Sequence, residues 1–416
     1  MFKIGKLRAS VLATILAIPL AGGAAWMLPV EANAQAQSGG WRKEVAEKVK
    51  SAQEAGQKGN FAEAIRLLKE AKAKGALSPQ EEHGVNELLI WAASSAKDHK
   101  LVLQTVDERL ATGRVTGADL VRKLRLKATT HYSLSDYRNA AAALDKLIAA
   151  QGSATADDLI LLGNSQFQLR EYRSAATTLE RAVAAAEKAG KPAKTVGPLL
   201  EMLNTAYFET KNDAKRIQTL HRLMAVAPKT SVFKQLASNY ELESSKDPVV
   251  MINLYRLGAA RGLLSGDHYA KYAEAALDLS SPGEAVAMLE KGMASGAIKK
   301  DDRNNRLLAD AKTQVERVRA TLTQQEAEAK AIATGEPEAK LATAYFTLKN
   351  YGKASEAAKR GVAKGRVRRP DDLHMMLGIA LVEAKKAPEA KTAFKAAAAA
   401  NEKMRGVADL WTTLST

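Results

Sequence analysis

Six histidines are the side chains of this sequence best suited to bind a metal ion or to transfer a proton near neutral pH. They are scattered along the chain, and we find none at the paired spacing with a carboxylate on one helix that a zinc site uses. We therefore predict no metal site and expect each histidine to be a surface or interhelix residue. The six are His83, His99, His131, His221, His268 and His374.

Two adjacent acidic pairs, Asp157 with Asp158 and Asp301 with Asp302, are the next candidates for chemistry. Both pairs stand at predicted helix starts, where a carboxylate stabilises the amide dipoles, so we interpret them as helix caps and not as general acids. The sequence has no cysteine. It also has no glycine-rich phosphate loop, no serine elbow and no nucleotide fingerprint. We predict a protein that is not an enzyme, without catalytic residues and without a cofactor.

Composition indicates which elements could hold these side chains. The chain has 416 residues, of which 46% are hydrophobic, 5% are aromatic and only 11 are proline, and it is very rich in alanine. Alanine favours helix and proline opposes it. No sustained run of β-branched residues alternates as a half-buried strand would. The sequence therefore predicts an all-α protein.

Residues 1–34 resemble a bacterial secretory signal peptide. Three basic residues precede an uncharged stretch from Val11 to Val30, and small residues then offer cleavage after Ala34 or Ala36. The prediction is an exported protein that is periplasmic in a diderm bacterium. The alternative is an uncleaved inner-membrane anchor, because twenty uncharged residues are long enough to span a bilayer.

The net charge of +16 points to an acidic partner. Export argues against nucleic acid, so we expect acidic protein surfaces, anionic lipid or anionic glycan as partners. The densest basic cluster lies just before Pro370 and has two interpretations: a patch that contacts an anionic surface, or a solvated loop between helices. Its members are Lys364, Arg366, Arg368 and Arg369.

The stretch LGNSQFQLREYRSAATTLERA, residues 162–182, contains two apolar stripes at helical spacing, separated by a turn at REY. Gly163, Ala175 and Ala182 lie where the two helices would cross, and small residues there allow close approach. The arrangement recurs 35 residues earlier, where Tyr137 stands as Tyr172 does here, and again near both ends of the chain. Recurrence at this period predicts a stack of helix pairs.

These segments resemble tetratricopeptide repeats, which have a 34-residue helix-turn-helix unit. The resemblance implies an α-solenoid, a superhelix of antiparallel helix pairs whose concave wall is lined by the first helix of each pair. The match is looser over residues 199–296, where Arg216 stands at a small-residue position, and it is marginal over residues 88–113.

The expected organisation after the leader is an N-terminal array over residues 41–298 and C-terminal repeats with a capping helix over residues 338–416. Between them, residues 299–337 form a charged helical segment that either makes a divergent helix pair or acts as a soft joint. Two prolines and two glycines over residues 188–198 are expected to lengthen one connection and bend the stack.

The resemblance also implies where a partner would bind. Four aromatic residues at equivalent places in first helices would point into the groove, and an aromatic ring can anchor a peptide with few rotamers to freeze. Ordinary core packing is the alternative. Asn164 stands where related groove proteins hold a peptide carboxylate, but Ile160 replaces the lysine that such a clamp needs. The predicted partner-binding groove is Tyr132, Asn164, Phe167, Phe208 and Phe346.

Three functions compete on this evidence. The leading one is a periplasmic scaffold that binds a peptide or helix of an envelope protein, as in accessory parts of TonB-type, outer-membrane assembly or polysaccharide export systems. The alternative is a binder of anionic glycan or lipid through the basic surface, with attachment that falls steeply with salt. An enzyme ranks last, and the oligomeric state is left open.

Overall fold

A computed structural model describes residues 40–243 and 247–415. These ranges contain twenty α-helices, one 3₁₀ turn and no β-strand, so the all-α prediction is confirmed. None of the described helices is long and apolar enough to cross a membrane. The predicted signal peptide, residues 1–34, lies outside the described residues.

The chain divides into two compact units, with the boundary between Asn212 and Asp213. The predicted organisation placed its joint at residues 299–337, which here lie inside the second unit. The difference arises because helices of the second unit make contacts more than 100 residues apart along the sequence.

The first unit consists of successive helix pairs in which each helix packs against the next along the chain. The helices are α1 (Lys43–Gln57), α2 (Phe61–Ala73), α3 (Pro79–Ser95), α4 (His99–Ala111), α5 (Gly117–Ser133), α6 (Tyr137–Gln151), α7 (Ala156–Gln168), α8 (Tyr172–Lys188) and α9 (Ala193–Glu209). Residues 88–113, which the sequence matched only marginally, contribute to a regular pair, α3 and α4.

One turn geometry joins the two helices within the pairs of this unit. At the α7–α8 turn, the Arg170 amide donates to the Phe167 carbonyl at 3.0 Å and the Glu171 amide donates to the Gln166 carbonyl at 2.9 Å. Arg170 itself is left-handed, with φ +61°. This bond pattern ends a helix by satisfying its last carbonyls. The left-handed residues at the equivalent turn positions are Gly59, Lys97, Ser135, Arg170 and Lys211.

Small residues bring the helices of a pair close together, as predicted. Ala175 and Ala182 are fully buried. A Cβ atom added at Gly163 would lie 2.9 Å from the Leu179 side chain, so only glycine fits under that leucine without a shift. The tetratricopeptide-type helix pair predicted for residues 162–182 is therefore confirmed by its own packing.

The connection between α8 and α9 is shorter than predicted. Helix α8 continues to Lys188 and α9 already begins at Ala193, so the link is residues 189–192. Pro192 is the N-cap of α9, where the missing amide hydrogen costs nothing. Pro198 lies inside α9 and removes one helical hydrogen bond. The prediction of a long loop over residues 188–198 is wrong.

The second unit continues with pairs but includes one unpaired long helix. Its helices are α10 (Asp213–Val226), α11 (Thr230–Glu243), α12 (Pro248–Ala260), α13 (His268–Asp278), α14 (Pro282–Ala294), α15 (Asp302–Ala331), α16 (Glu336–Thr347), α17 (Tyr351–Lys364), α18 (Pro370–Glu383), α19 (Ala387–Ala400) and α20 (Arg405–Leu414), with a 3₁₀ turn at Glu402–Met404. Residues 299–337 thus contain one 30-residue helix, α15, which packs against both α14 and α16.

Helix α12 lies at the centre of the second unit. Ten consecutive residues, Val249 to Gly258, are buried, as expected for a helix surrounded on all sides. Its Arg256 pairs with Glu284 at 2.8 Å and with Asp372 at 3.4 Å. Burial acts to raise the pKa of Glu284, but the Arg256 guanidinium outweighs it and holds that pKa below its usual range. Contacts between such distant helices depart from a simple solenoid, in which each repeat contacts only its neighbours.

Arg216, expected to disturb close packing, is accommodated by polar contacts. Its guanidinium donates to the Asn239 side-chain oxygen at 2.6 Å and lies 3.3 Å from an Asp213 carboxylate oxygen. The contact with Asn239 joins α10 to α11 and lies outside the helix pair over residues 199–228, in which Arg216 stands at the small-residue position.

Candidate functional site

Three of the predicted groove aromatics lie at equivalent places in the first unit. Tyr132, Phe167 and Phe208 stand near the C-terminal ends of α5, α7 and α9, each three residues before a left-handed turn residue. Because the first helices of successive pairs all end at the same side of a stack, the three rings share one edge of the unit. We call this edge, together with the turn residues beside the rings, the turn edge.

Two of the three rings are fixed by a partner across their own turn. Tyr132 meets Tyr137 edge to face with ring centroids 5.4 Å apart, and Phe167 meets Tyr172 in the same way at 5.6 Å. Such pairs add about 0.5 to 1.5 kcal/mol beyond area burial. Both first-helix rings stay partly exposed, and Phe208 is 57% exposed. The turn edge therefore exposes aromatic rings to solvent, and two of these rings are fixed in orientation by a neighbouring ring.

Two other predicted groove residues lie in the core. Phe346 is only 3% exposed, and the Arg256 guanidinium lies over its ring at 4.9 Å from the centroid. Asn164 is also 3% exposed, and Ile160 one turn earlier is buried. The prediction that Phe346 and Asn164 line an accessible groove is wrong, because neighbouring helices cover both side chains. For these two residues the core-packing alternative applies.

Three turns of the first unit carry an exposed basic residue: Arg170 and Lys211 come three residues after Phe167 and Phe208, whereas Lys97 comes three residues after Ser94. Lys97, Arg170 and Lys211 occupy left-handed turn positions with φ between +55° and +61°, and all three side chains are exposed. A residue with a Cβ atom is strained there relative to glycine. None of the ion pairs found within residues 40–243 and 247–415 uses these three residues. Three turns of the first unit thus place an exposed positive charge at a left-handed residue.

Burial also sets the chemistry of the turn edge. It raises the pKa of Tyr132 to about 12, so the phenol is neutral at physiological pH. At the opposite end of α7, Asp158 is the cap that the sequence predicted: it accepts a hydrogen bond from the Thr155 amide and pairs with Arg125 at 3.0 Å. The turn edge thus combines neutral aromatic rings with positive charges.

The predicted basic patch is divided between internal and external roles. Lys364 donates to the Ile332 carbonyl at 3.0 Å and pairs with Glu338, and so caps the end of α15. Arg369 pairs with Asp247 at 3.0 Å and with Asp371 at 2.7 Å. Arg366 and Arg368 are exposed on the loop between α17 and α18. Neither interpretation describes Lys364 and Arg369, which make internal contacts, whereas Arg366 and Arg368 lie on the exposed loop and remain candidates for an anionic contact.

One histidine does share a helix face with a carboxylate, contrary to the sequence analysis. His83 and Glu87 lie one turn apart on α3, and their ligand atoms lie within 4.8 Å of each other and of Asp119 on α5. Each group already faces a cation. Lys123, which is buried, donates to Glu87 at 2.6 Å. Two arginines face Asp119 and His83. Those contacts are Arg122 to Asp119 at 3.0 Å and Arg109 to His83 Nδ1 at 3.1 Å. A metal ion there would have to displace a buried ammonium group.

Trp91 and the turn cations were not predicted from the sequence. Trp91 on α3 fills the space left by Gly56 on α1, where an added Cβ would lie 2.2 Å from the indole, and it meets Phe61 edge to face at 5.8 Å. Gly56 and Trp91 lie 35 residues apart, about one repeat, so the sequence could have indicated that the tryptophan packs against the glycine. Lys97 and Lys211 gave no such signal, because a lysine does not predict a left-handed turn.

Comparison with known proteins yields distant structural similarity only. No protein-family model matches the chain, and no curated protein matches its sequence. A tetratricopeptide repeat protein from Parabacteroides merdae is 14% identical, with 65% of this chain and 99% of that chain covered and a TM-score of 0.34. The structure of Naa15/Naa10 bound to HypK gives 14% identity, coverage of 88% and 54%, and a TM-score of 0.39. Yeast Tom70 is 13% identical, with 89% of this chain and 95% of that chain covered and a TM-score of 0.26. The assignment of tetratricopeptide-type pairs rests on the turns and packing of this chain itself.

Proposed function

We propose that the protein is a non-enzymatic scaffold of the periplasm that binds a peptide or helix of an envelope protein along the turn edge of its first unit. One observation supports this most strongly. The aromatic rings of Tyr132, Phe167 and Phe208 occur in the same unit as exposed cations at left-handed turn residues. Aromatic and arginine side chains dominate the energetics of protein interfaces. Strain that survives in a folded protein often marks a functional position.

The charge of the turn edge indicates the kind of segment it would bind. Lys97, Arg170 and Lys211 have acidic residues as their natural partners, and the partly exposed Phe167 and the exposed Phe208 add apolar surface at the Arg170 and Lys211 turns. An acidic segment with an apolar or aromatic residue fits this arrangement. The settings we propose for such a partner are TonB-type, outer-membrane assembly or polysaccharide export systems.

The test is to replace Phe167 and Phe208 together by alanine and to measure capture of envelope proteins from an extract. We expect capture to fall by at least about tenfold, because loss of two interface anchors costs about 2 kcal/mol or more. Helical circular dichroism should change little. The matched control is Phe346→Ala, whose buried ring should cost about 3 to 5 kcal/mol of stability while capture by the folded protein remains.

Two results would contradict the proposal. One is unchanged capture by the double variant. The other is loss of helical signal in that variant, which would place both rings in the core. Attachment to glycan or lipid that disappears at high salt, with no protein captured, would favour the alternative function through residues such as Arg366 and Arg368.

A further inference from the structure

One surface of the second unit has an excess of exposed positive charge. Over residues 351–400, from the start of α17 to the end of α19, nine basic residues are exposed but only three acidic residues are. The other two acidic residues of this range pair inside the unit: Asp371 with Arg369 at 2.7 Å and Asp372 with Arg256 at 3.4 Å. Folding therefore leaves most of the positive charge outside. We call the exposed residues of this range the basic face.

Most cations of the basic face have no acidic partner. Three of the nine form ion pairs. One of these pairs, Lys359 with Glu389 at 2.6 Å, joins exposed side chains of α17 and α19, so the exposed sides of the two helices adjoin. The other six cations form no ion pair with any residue that the structure describes. They are Arg366, Arg368, Lys385, Lys386, Lys391 and Lys395.

The loop between α17 and α18, which carries the two arginines, is fixed by the chain around it. The Gly335 amide donates to the Gly365 carbonyl at 2.6 Å, and the Arg368 amide donates to the Glu336 carboxylate at 2.8 Å. Arg366 is left-handed, with φ +53°. The backbone of the loop is therefore held in place while both arginine side chains remain exposed.

Two exposed apolar side chains flank this loop. Val362 lies in the last turn of α17 and Ile332 directly follows α15, and each is 39% exposed. The Ile332 carbonyl accepts a hydrogen bond at 3.0 Å from Lys364, the last residue of α17. Apolar side chains beside cations suit the boundary between anionic lipid headgroups and acyl chains. An anionic glycan would have no use for the two apolar side chains.

The residue types favour an extended surface over a single bound anion. Four of the six unpaired cations are lysines, whose flexible point charges do not fix one anion as the fork of an arginine does. Spread over a loop and α19, they match a layer of mobile anionic groups. We propose that the basic face docks on a bilayer with anionic lipid headgroups, with Val362 and Ile332 at the acyl boundary. This proposal goes beyond the function proposed for the first unit and does not depend on it.

The test is cosedimentation of the protein with vesicles of phosphatidylcholine and phosphatidylglycerol in equal parts. The protein starts at Gln35, because the uncharged stretch from Val11 to Val30 is long enough to enter a bilayer by itself. It retains every described residue. We expect binding that weakens as salt is raised, and no binding to vesicles of phosphatidylcholine alone.

Two variants with equal loss of charge show which surface binds the vesicles. One replaces four unpaired cations of the basic face by glutamine, and it should bind at least about a hundredfold more weakly, since each cation near an anionic surface is worth about fivefold. Those four are Arg366, Arg368, Lys391 and Lys395. The matched control replaces four exposed cations of the first unit in the same way and should bind as the unchanged protein does. Its positions are Lys50, Lys69, Arg138 and Arg173.

A third variant, Ile332→Ser with Val362→Ser, tests the apolar contact. It should bind the vesicles about fivefold more weakly or worse, with the same salt dependence, because only apolar contact is lost. The proposal is overturned if the unchanged protein does not bind the anionic vesicles at low salt, or if the charge variant and its control weaken equally. It is also overturned if the apolar variant binds normally and soluble polygalacturonate binds the protein as tightly as the vesicles do, which would assign the basic face to a glycan.

Discussion

Individual residues of the turn edge show a cost that a purely structural role does not explain. Arg170 and Lys97 hold left-handed turn positions where glycine would be unstrained. Gly59 occupies the equivalent position in the first pair. The chain therefore accepts glycine there, and Ser135 holds the same position without a charge, so a comparison of Arg170 with Ser135 separates the effect of charge from that of strain.

Replacing Arg170 by glycine should stabilise the protein by about 0.5 to 1 kcal/mol, because it relieves the left-handed strain. The same change should weaken partner capture, because it removes a positive charge from the turn edge. Urea denaturation and the capture assay measure the two effects. Ser135→Gly is the matched control, since it should relieve similar strain without loss of charge. Equal capture by both variants would show that the charge at Arg170 plays no part.

His221 should make the second unit sensitive to mild acid. Burial lowers the pKa of His221 to about 4, from an ordinary value of 6.5. A depressed histidine pKa means that the unfolded chain binds the proton more readily. Stability is therefore fully present above pH 6.5 and is lost as the pH falls toward 4.

Between pH 7 and pH 5 this histidine should contribute a loss of at most about 2 kcal/mol. His221→Gln should reduce the loss, measured as the free energy of unfolding in urea at the two pH values. Some loss should remain, because burial also lowers the pKa of His268 and His374. An unchanged difference between pH 7 and pH 5 in the variant would show that His221 does not titrate in this range.

The sequence predicted part of the site at this scale. The residue types and positions of Tyr132, Phe167 and Phe208 were readable from the repeat. The burial of Phe346 was not, because it depends on Arg256, which lies 90 residues earlier and whose approach no local pattern announces.

At the scale of the helix pair, close approach depends on small residues. Gly163→Ala should destabilise the first unit by about 1 to 3 kcal/mol, because the added methyl group overpacks against Leu179. Thermal unfolding measures this. The matched control is Gly352→Ala in α17, where an added Cβ meets nothing closer than 4.0 Å and the higher helix propensity of alanine should be neutral or stabilising. Destabilisation of similar size in both variants would contradict the packing argument.

Helices and their pairing were the most predictable level, because apolar periodicity and small crossing residues are local signals. Helix boundaries were less so. Pro192 and Pro198 suggested a loop, yet the first is an N-cap and the second is tolerated inside α9. From the sequence, the charged residues 299–337 could form a helix pair or one long helix. The structure has one long helix, which packs against both α14 and α16.

At the scale of the whole molecule, the division of the chain was the least predictable feature. The boundary follows contacts that join distant helices, such as Arg256 with Asp372 and Trp411 with Asn253. Each partner in these pairs is an ordinary residue in its own sequence context. A repeat pattern predicts contacts between neighbouring helices in the stack and carries no information on contacts between helices far apart in the sequence.

We propose that the turn edge of the first unit contacts an envelope protein. Site-specific photocrosslinking in cells can detect this contact directly. A photoreactive phenylalanine analogue is placed at Phe208, or at Leu242 as a control that is 83% exposed. We expect a discrete protein adduct from position 208 that is absent from position 242 and weakened by Arg170→Gly. No protein adduct at position 208, or the same adduct at both positions, would contradict it.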